Sequence, residues 1–260
     1  MRPNTVKQLW REGKVAVGGW LAINSSYCAE IMAHQDFDWL VVDTQHGAID
    51  FNSALPMLQA ISTTDTMPFA RVPWNEPSII MKMLDAGAYG IVVPMIETKA
   101  DAEAAVRACR FPPMGLRSAG PYRGVLYGGN DYTDRANDEI ALILMIETPQ
   151  ALENLEEIAS VPGVDALYIG PSDLSQALGL GLPYNIDNPK HTAAVTRIRE
   201  VCEKHGVVPG VHTNGPAASN RFIKEGFKMV MLNSDSAFVG ATARAELTAI
   251  KEARDTANRA

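Results

Sequence analysis

Cysteine is scarce in this chain: Cys28, Cys109 and Cys202 are its only three among 260 residues, far apart and without CxxC or zinc-ligand spacing. That pattern excludes a disulfide framework and a structural zinc site, and it suits a reducing cytoplasm. Long apolar runs are also missing. No stretch approaches the roughly 20 residues that a membrane helix needs, and Met1-Arg2-Pro3-Asn4 leads into a polar segment that does not read as a secretory leader. Positive charge is in deficit, with 23 Lys and Arg against 30 Asp and Glu and a formal charge of -7. The cations are scattered, so there is no basic stripe for nucleic acid or an anionic membrane. A cytoplasmic protein acting on small molecules is the expectation.

What is present is an ordinary globular composition, 47% hydrophobic and 20% charged, in a length that matches one (β/α)8 barrel. Short Val/Ile/Leu-rich runs alternate with segments of helical period, as in consecutive βα units around a parallel sheet. Eight such runs are read: Val15 to Ile23, Trp39 to Val42, Phe69 to Val72, Gly90 to Val93, Ala141 to Ile146, Ala166 to Ile169, Val207 to Val211 and Met229 to Leu232. Most are continuously apolar, as strands covered on both faces must be. Helices are expected between them, among them Asp101 to Cys109, Pro149 to Ile158 and Thr192 to His205, with a long last helix from Ser236 to Ala260. Phe111 to Asp134, rich in Gly, Pro, Tyr and Arg and without clear period, reads as a long excursion, and Leu180 to Pro189 as a second insertion. No repeat or compositional shift divides the chain, so a single TIM-barrel domain over residues 1–260 is expected.

Barrels of this kind work at the C-terminal ends of their strands. There the sequence places Trp20, Asp43-Thr44-Gln45-His46, Arg71, Glu147, Asp173, His212-Thr213-Asn214 and Asn233-Ser234. Glu147 and Asp173 follow neighbouring strands, so both carboxylates emerge side by side at the mouth, where oxygen ligands suit a hard divalent cation that keeps water in its shell. Asp173 could instead be only a helix N-cap. Glu147 precedes Thr148-Pro149, where Thr148 is the better cap, and is left without a local role. Asp43, three residues before His46, could orient the imidazole of a histidine base. Arg71, closing a buried strand, wants an anionic partner. No lysine closes a strand, which excludes a Schiff-base mechanism, and Gly179-Leu180-Gly181 lacks dinucleotide-loop spacing.

Six ordered motifs then carry a resemblance that covers almost the whole chain. Val42-Asp43-Thr44-Gln45-His46-Gly47, Phe69-Ala70-Arg71-Val72-Pro73, Leu84-Asp85-Ala86-Gly87-Ala88, Pro112-Pro113-Met114-Gly115-Leu116-Arg117, Ile146-Glu147-Thr148 and Ile169-Gly170-Pro171-Ser172-Asp173-Leu174-Ser175 are similar to the HpcH/HpaI aldolases, class II pyruvate aldolases. The resemblance implies that Glu147 and Asp173 ligate a divalent metal (Mg²⁺, Mn²⁺ or Co²⁺) and that the turn at Gly170, Ser172 and Asp173 cradles the pyruvate carboxylate. It implies that Arg71 contacts the keto oxygen, and that His46, held by Asp43 and linked to Asp85, transfers a proton. Trp20 stands among the substrate contacts, and Tyr122, Arg123 and Leu126 are the candidates for the aldehyde half, reaching into a neighbouring subunit. The family's last helix is exchanged between subunits of a hexamer built as three dimers.

The chemistry so implied is retro-aldol cleavage of a 4-hydroxy-2-oxo acid to pyruvate and an aldehyde. Three departures mark this chain: Gln45 stands where relatives often have Glu, Met145 where they often have Gln, and Ser118 to Gly124 replaces the commoner Arg-Gly form. A CoA-thioester lyase of the citramalyl or malyl type is the alternative within the class, but no basic site for a CoA phosphate is evident. A non-catalytic barrel with a binding or assembly role is the alternative outside it.

Overall fold

The computed structural model describes residues 1–259, the side chain of Glu252 apart. Eight parallel strands close on themselves in sequence order, with β1 (Ala16–Leu21) beside both β2 (Trp39–Asp43) and β8 (Met229–Ser234). Between these lie β3 (Met67–Arg71), β4 (Gly90–Val93), β5 (Ala141–Ile146), β6 (Ala166–Ile169) and β7 (Val208–Val211). Each expected run carries one strand, and the fold is the expected (β/α)8 barrel.

Strand periodicity sorts the side chains into two cores, because successive residues point to opposite faces. Trp39 and Val41 of β2, Met67 and Phe69 of β3, Ala141, Ile143 and Met145 of β5, and Ala166 and Tyr168 of β6 fill the barrel interior. Their alternates, such as Leu40, Val42, Leu142, Leu144, Leu167 and Ile169, pack outward under the helices. Interior volume is balanced across strands. Gly18 lies where a Cβ would collide with the Trp39 ring, and Trp39 stacks on Phe69 at 6.0 Å. Large side chains from some strands fill space left by small ones on others.

The helices include several that the sequence pattern conceals. Helix α1 (Thr5–Arg11) precedes β1 and seals the end of the barrel where the strands begin. Its Val6 joins the interior core, while the Asn4 amide nitrogen donates to the Tyr89 and Glu139 carbonyls. The outer ring continues with α2 (Ser26–Ala33), α3 (Phe51–Ile61), α4 (Pro77–Asp85) and α5 (Lys99–Cys109). The excursion after α5 is not featureless: it holds α6 (Tyr122–Gly128) and α7 (Tyr132–Glu139). Gly124, Gly128 and Gly129 erase the helical period there, and packing against Tyr132 and Tyr89 supplies the order instead. This segment leads into the start of β5, so it lies at the closed end of the barrel, away from the strand C-termini.

Helices α8 (Pro149–Glu153), α9 (Leu155–Ala159), α10 (Pro171–Ala177), α11 (Pro189–His205) and α12 (Pro216–Lys224) complete the ring, with the second insertion between α10 and α11. The last helix, α13 (Asp235–Ala257), begins at the N-cap Ser234 and then leaves its own barrel, with Val239, Leu247 and Ile250 exposed. Ala260, to which the sequence reading extended this helix, lies outside the described residues. Among the described residues no helix is long and apolar enough to cross a membrane.

Candidate active site

The inward alternation that builds the core also delivers the polar groups to its mouth. Continuing the interior series past Val41 reaches Asp43, past Phe69 reaches Arg71, past Met145 reaches Glu147, past Tyr168 reaches Gly170, and past Gly210 reaches His212. These positions and their loops enclose a cleft of about 240 Å³. His46, Arg71, Met145, Glu147, the Gly170–Asp173 turn and His212 line it. No lysine lines it.

Asp43 and Arg71 face each other in register on adjacent strands. Arg71 Nε donates to Asp43 Oδ1 at 2.8 Å and Nη2 to Oδ2 at 2.6 Å, a buried two-pronged ion pair. Burial works to raise the Asp43 carboxyl, but the hydrogen bonds and charge of Arg71 outweigh it and hold the group below its ordinary value. The remaining Arg71 nitrogen, Nη1, is 4.0 Å from Met145 Sδ and otherwise faces the cleft. Trp20 lies under the guanidinium at 4.9 Å and stacks on Tyr168, and its buried indole N–H helps to hold the Asp43 carboxyl down.

The assigned role of Asp43 is therefore corrected. Its carboxylate is committed to Arg71 and to the backbone N–H groups of Gln45 and His46, at 3.0 and 3.3 Å, so it shapes the loop that carries His46 without touching the imidazole. The His46 ring stands exposed at the lip of the cleft. Asp85 is also placed elsewhere. It ends α4, at the closed end of the barrel, and pairs with the buried Arg117 at 2.9 Å rather than with His46. Arg123 shares that end, donating to the Ala86 carbonyl and to Ser62 Oγ, so within one chain it is remote from the cleft.

Glu147 is buried, and Thr148 caps α8 as its sequence context implied. Glu147 Oε1 accepts the Met95 N–H at 2.9 Å, which Met95 presents from the left-handed region at φ 55°. Its other oxygen abuts Gly170, where any Cβ would collide with it. Burial, reinforced by the Asp173 charge and opposed by Arg71, raises the Glu147 carboxyl above its ordinary value. Asp173 is not the N-cap of α10; Gly170 is, and Asp173 sits exposed in the first helical turn. Ser172 and Asp173 contribute first-turn N–H groups that a helix cannot satisfy internally.

His212, just past the end of β7, joins the site although the sequence marks it only as a strand end. Its inward parity on β7 was the available signal. Burial first, and then the Arg71 charge, push its imidazole down to about 4. Gln45 shows a second local feature: its side-chain oxygen is buried without a partner.

Among the described residues no three His, Cys, Asp or Glu side chains cluster as a complete metal cage. Two carboxylates that repel across a cleft, one of them burdened by burial, are nevertheless a donor set that a hard cation fits, with substrate and water oxygens completing its shell. A larger cavity, about 460 Å³, opens at the closed end, but Lys7 and Arg110 there are paired with Asp165 at 2.7 and 2.8 Å.

Comparison with known proteins decides the lineage. Residues 16–240 match the model of the HpcH/HpaI aldolase/citrate lyase family. The chain belongs to this family. It is 39% identical over 241 residues to a hydroxypyruvate/pyruvate aldolase of Rhizorhabdus wittichii, covering 93% of this chain and 96% of that one. It is 34% identical over 245 residues to a 4-hydroxy-2-oxo-heptane-1,7-dioate aldolase of Escherichia coli, covering 93% of each. A family member from Burkholderia cenocepacia superposes with a TM-score of 0.89 at 33% identity, covering 95% of this chain and 99% of that one. Like its HpcH/HpaI relatives, the protein is a carbon–carbon lyase of the aldolase type.

Proposed function

We propose that the protein is a divalent-metal-dependent aldolase that reversibly cleaves a 4-hydroxy-2-oxo acid into pyruvate, or a close 2-oxo acid, and an aldehyde. The observation that carries this reading is the convergence of Glu147, Asp173 and Arg71, whose Nη1 meets only the Met145 sulfur at 4.0 Å, on one cleft. Glu147 and Asp173 would hold Mg²⁺, Mn²⁺ or Co²⁺, which supplies Lewis-acid stabilisation of negative charge at the 2-oxo group.

The protein's own groups account for the rest. The N–H groups at Ser172 and Asp173 receive the substrate carboxylate, and Gly170 leaves room for the Glu147 carboxylate beside that turn. Arg71, locked by Asp43 and Trp20, holds a fixed positive charge toward the keto oxygen, a preorganised arrangement that needs no rearrangement as charge develops. His46 accepts the 4-hydroxyl proton as the C3–C4 bond breaks. The aldehyde departs, the bonding pair remains as the pyruvate enolate, and a proton returned to C3 completes pyruvate. The relatives named above, both aldolases of 2-oxo acids, support this reaction class.

The same reading places α13 on a neighbouring copy, within a hexamer of three dimers. The apolar residues it exposes beyond its own barrel support that assembly. Pyruvate release from 4-hydroxy-2-oxo acids tests the reaction. Turnover should vanish with chelator, return with Mg²⁺, Mn²⁺ or Co²⁺, and be lost in folded Glu147→Ala and Asp173→Ala. Full activity in either variant would remove that residue from the site.

A further inference from the structure

Two buried cations share one carboxylate at the closed end of the barrel. Lys7 Nζ lies 2.7 Å from Asp165 Oδ1 and Arg110 Nη2 lies 2.8 Å from Oδ2, and both cations also donate to the Ile140 carbonyl. The same Oδ2 accepts the Leu142 N–H, so this carboxylate is divided among three donors. Arg110 is 1% exposed, and its Nε is buried without a hydrogen-bond partner among the described residues. One negative charge against two buried positive ones leaves an excess that a poorly solvated setting penalises until an anion offsets it. The Lys7 ammonium registers that excess. Burial first holds it below its ordinary value in spite of Asp165, and the Arg110 and Arg11 charges push it the same way.

These groups line the cavity of about 460 Å³, a size that takes a small organic molecule. Helix α1 brings Lys7, Trp10 and Arg11 to it together, because residues three and four apart share a helix face. Arg11 is exposed there, donates to the Asp138 backbone carbonyl at 3.4 Å, and forms no ion pair among the described residues. The three cations of the lining thus meet two carboxylates, Asp165 and the exposed Asp138. A surplus of one positive charge suits a monoanion, whereas a dianion would overshoot it and be repelled by Asp138. Trp10, Met114, Val164 and Val208 supply apolar wall, and the Trp10 indole is tethered by its N–H to the Lys228 carbonyl at 3.2 Å.

We propose that this cavity is a second ligand site, separate from the catalytic cleft, that takes a small organic monocarboxylate: its head offsets the charge of Lys7 and Arg11, and its apolar body packs along Trp10 and Met114. An occupant joins α1 to the starts of β6 and β7 and so braces the segment whose Val6 plugs the barrel.

The test titrates benzoate into the full-length protein by calorimetry, with benzamide as its uncharged counterpart and inorganic phosphate as the dianion. Benzoate should bind saturably, with Kd on the order of 1 mM or tighter, and should raise Tm as it saturates. Arg11→Gln, a surface change, and Lys7→Met should each weaken binding about tenfold or more, the scale of one charge-assisted hydrogen bond, and Arg11→Gln should leave pyruvate release unchanged. Asp173→Asn, at the opposite rim, should keep benzoate affinity within about twofold of wild type. Absence of saturable binding, benzamide as tight as benzoate, phosphate tighter than benzoate, or wild-type affinity in Arg11→Gln each overturns the proposal. Loss of binding in Asp173→Asn would put the probe in the cleft and overturn it as well; if Lys7→Met does not fold, Arg11→Gln alone decides.

Discussion

Substitution of Gly170 by alanine isolates the geometry of the carboxylate pair. The Gly170 backbone, at φ -90° and ψ 97°, is one that alanine adopts without strain, so the added methyl group is the whole perturbation. A Cβ there would fall well inside contact of Glu147 Oε2 and at 3.0 Å from Met145 Cε, whereas ordinary contact begins at 3.4 Å. The carboxylate must withdraw by about 1 Å, and the 2.9 Å hydrogen bond from Met95 that orients it is stretched or lost. Misplacement on that scale can cost about a hundredfold in rate. Pyruvate release coupled to a dehydrogenase should show that loss in kcat/KM, and calorimetric titration should show weaker metal binding, with Tm falling by only a few degrees. Adding Glu147→Asp to Gly170→Ala withdraws the carboxylate by one methylene and should recover part of the activity. A Gly170→Ala protein with kcat/KM within threefold of wild type and unchanged metal affinity would refute the claim that close approach of Gly170 to Glu147 is needed.

Two further outcomes follow from ion pairing and from the last helix. Asp43→Asn strips the buried Arg71 of its partner and should cost about 3 kcal/mol or more, a Tm drop on the order of 10 °C. Because the folded-state carboxyl lies below its ordinary 3.8, its contribution is complete above that pH and fades as pH falls through the depressed value. The gap between variant and wild type, followed by thermal melts, should persist at neutral pH and narrow in acid; equal Tm values at pH 7 would show that Arg71 does not depend on Asp43. Ending the chain after Gly240 removes Leu247 and Ile250, which face solvent in the single chain, and should lower the mass measured by light scattering while leaving the barrel's circular dichroism largely intact. Retention of the full-length mass would mean that α13 does not hold the assembly.

The eight strands were legible because full burial on both faces writes itself as continuous apolar runs, and the site followed because polar residues interrupt those runs at one end. Partnership was harder to read. Proximity in sequence suggested that Asp43 serves His46, three residues on, but the β2–β3 register sets Asp43 directly opposite Arg71, 28 residues away. A like difficulty attends Asp85, which sits beside a suggestive motif yet, within its own chain, belongs to the part of its βα unit that has already returned to the opposite rim. Helices α6 and α7 escaped notice because glycine breaks their period and tertiary packing restores their order. His212 was visible as a strand end, but only the Tyr168 hydroxyl behind it gives its ring a direction.

The sealed interior has a kinetic corollary. With Val6, Trp39 and Phe69 plugging the barrel beneath the catalytic groups, the chamber is a cup with a single doorway and no rear exit. On the proposed cleavage, both fragments would share that doorway, and product-inhibition kinetics should then show ordered release, the outer fragment before the inner; random release would show that the plug sets no order.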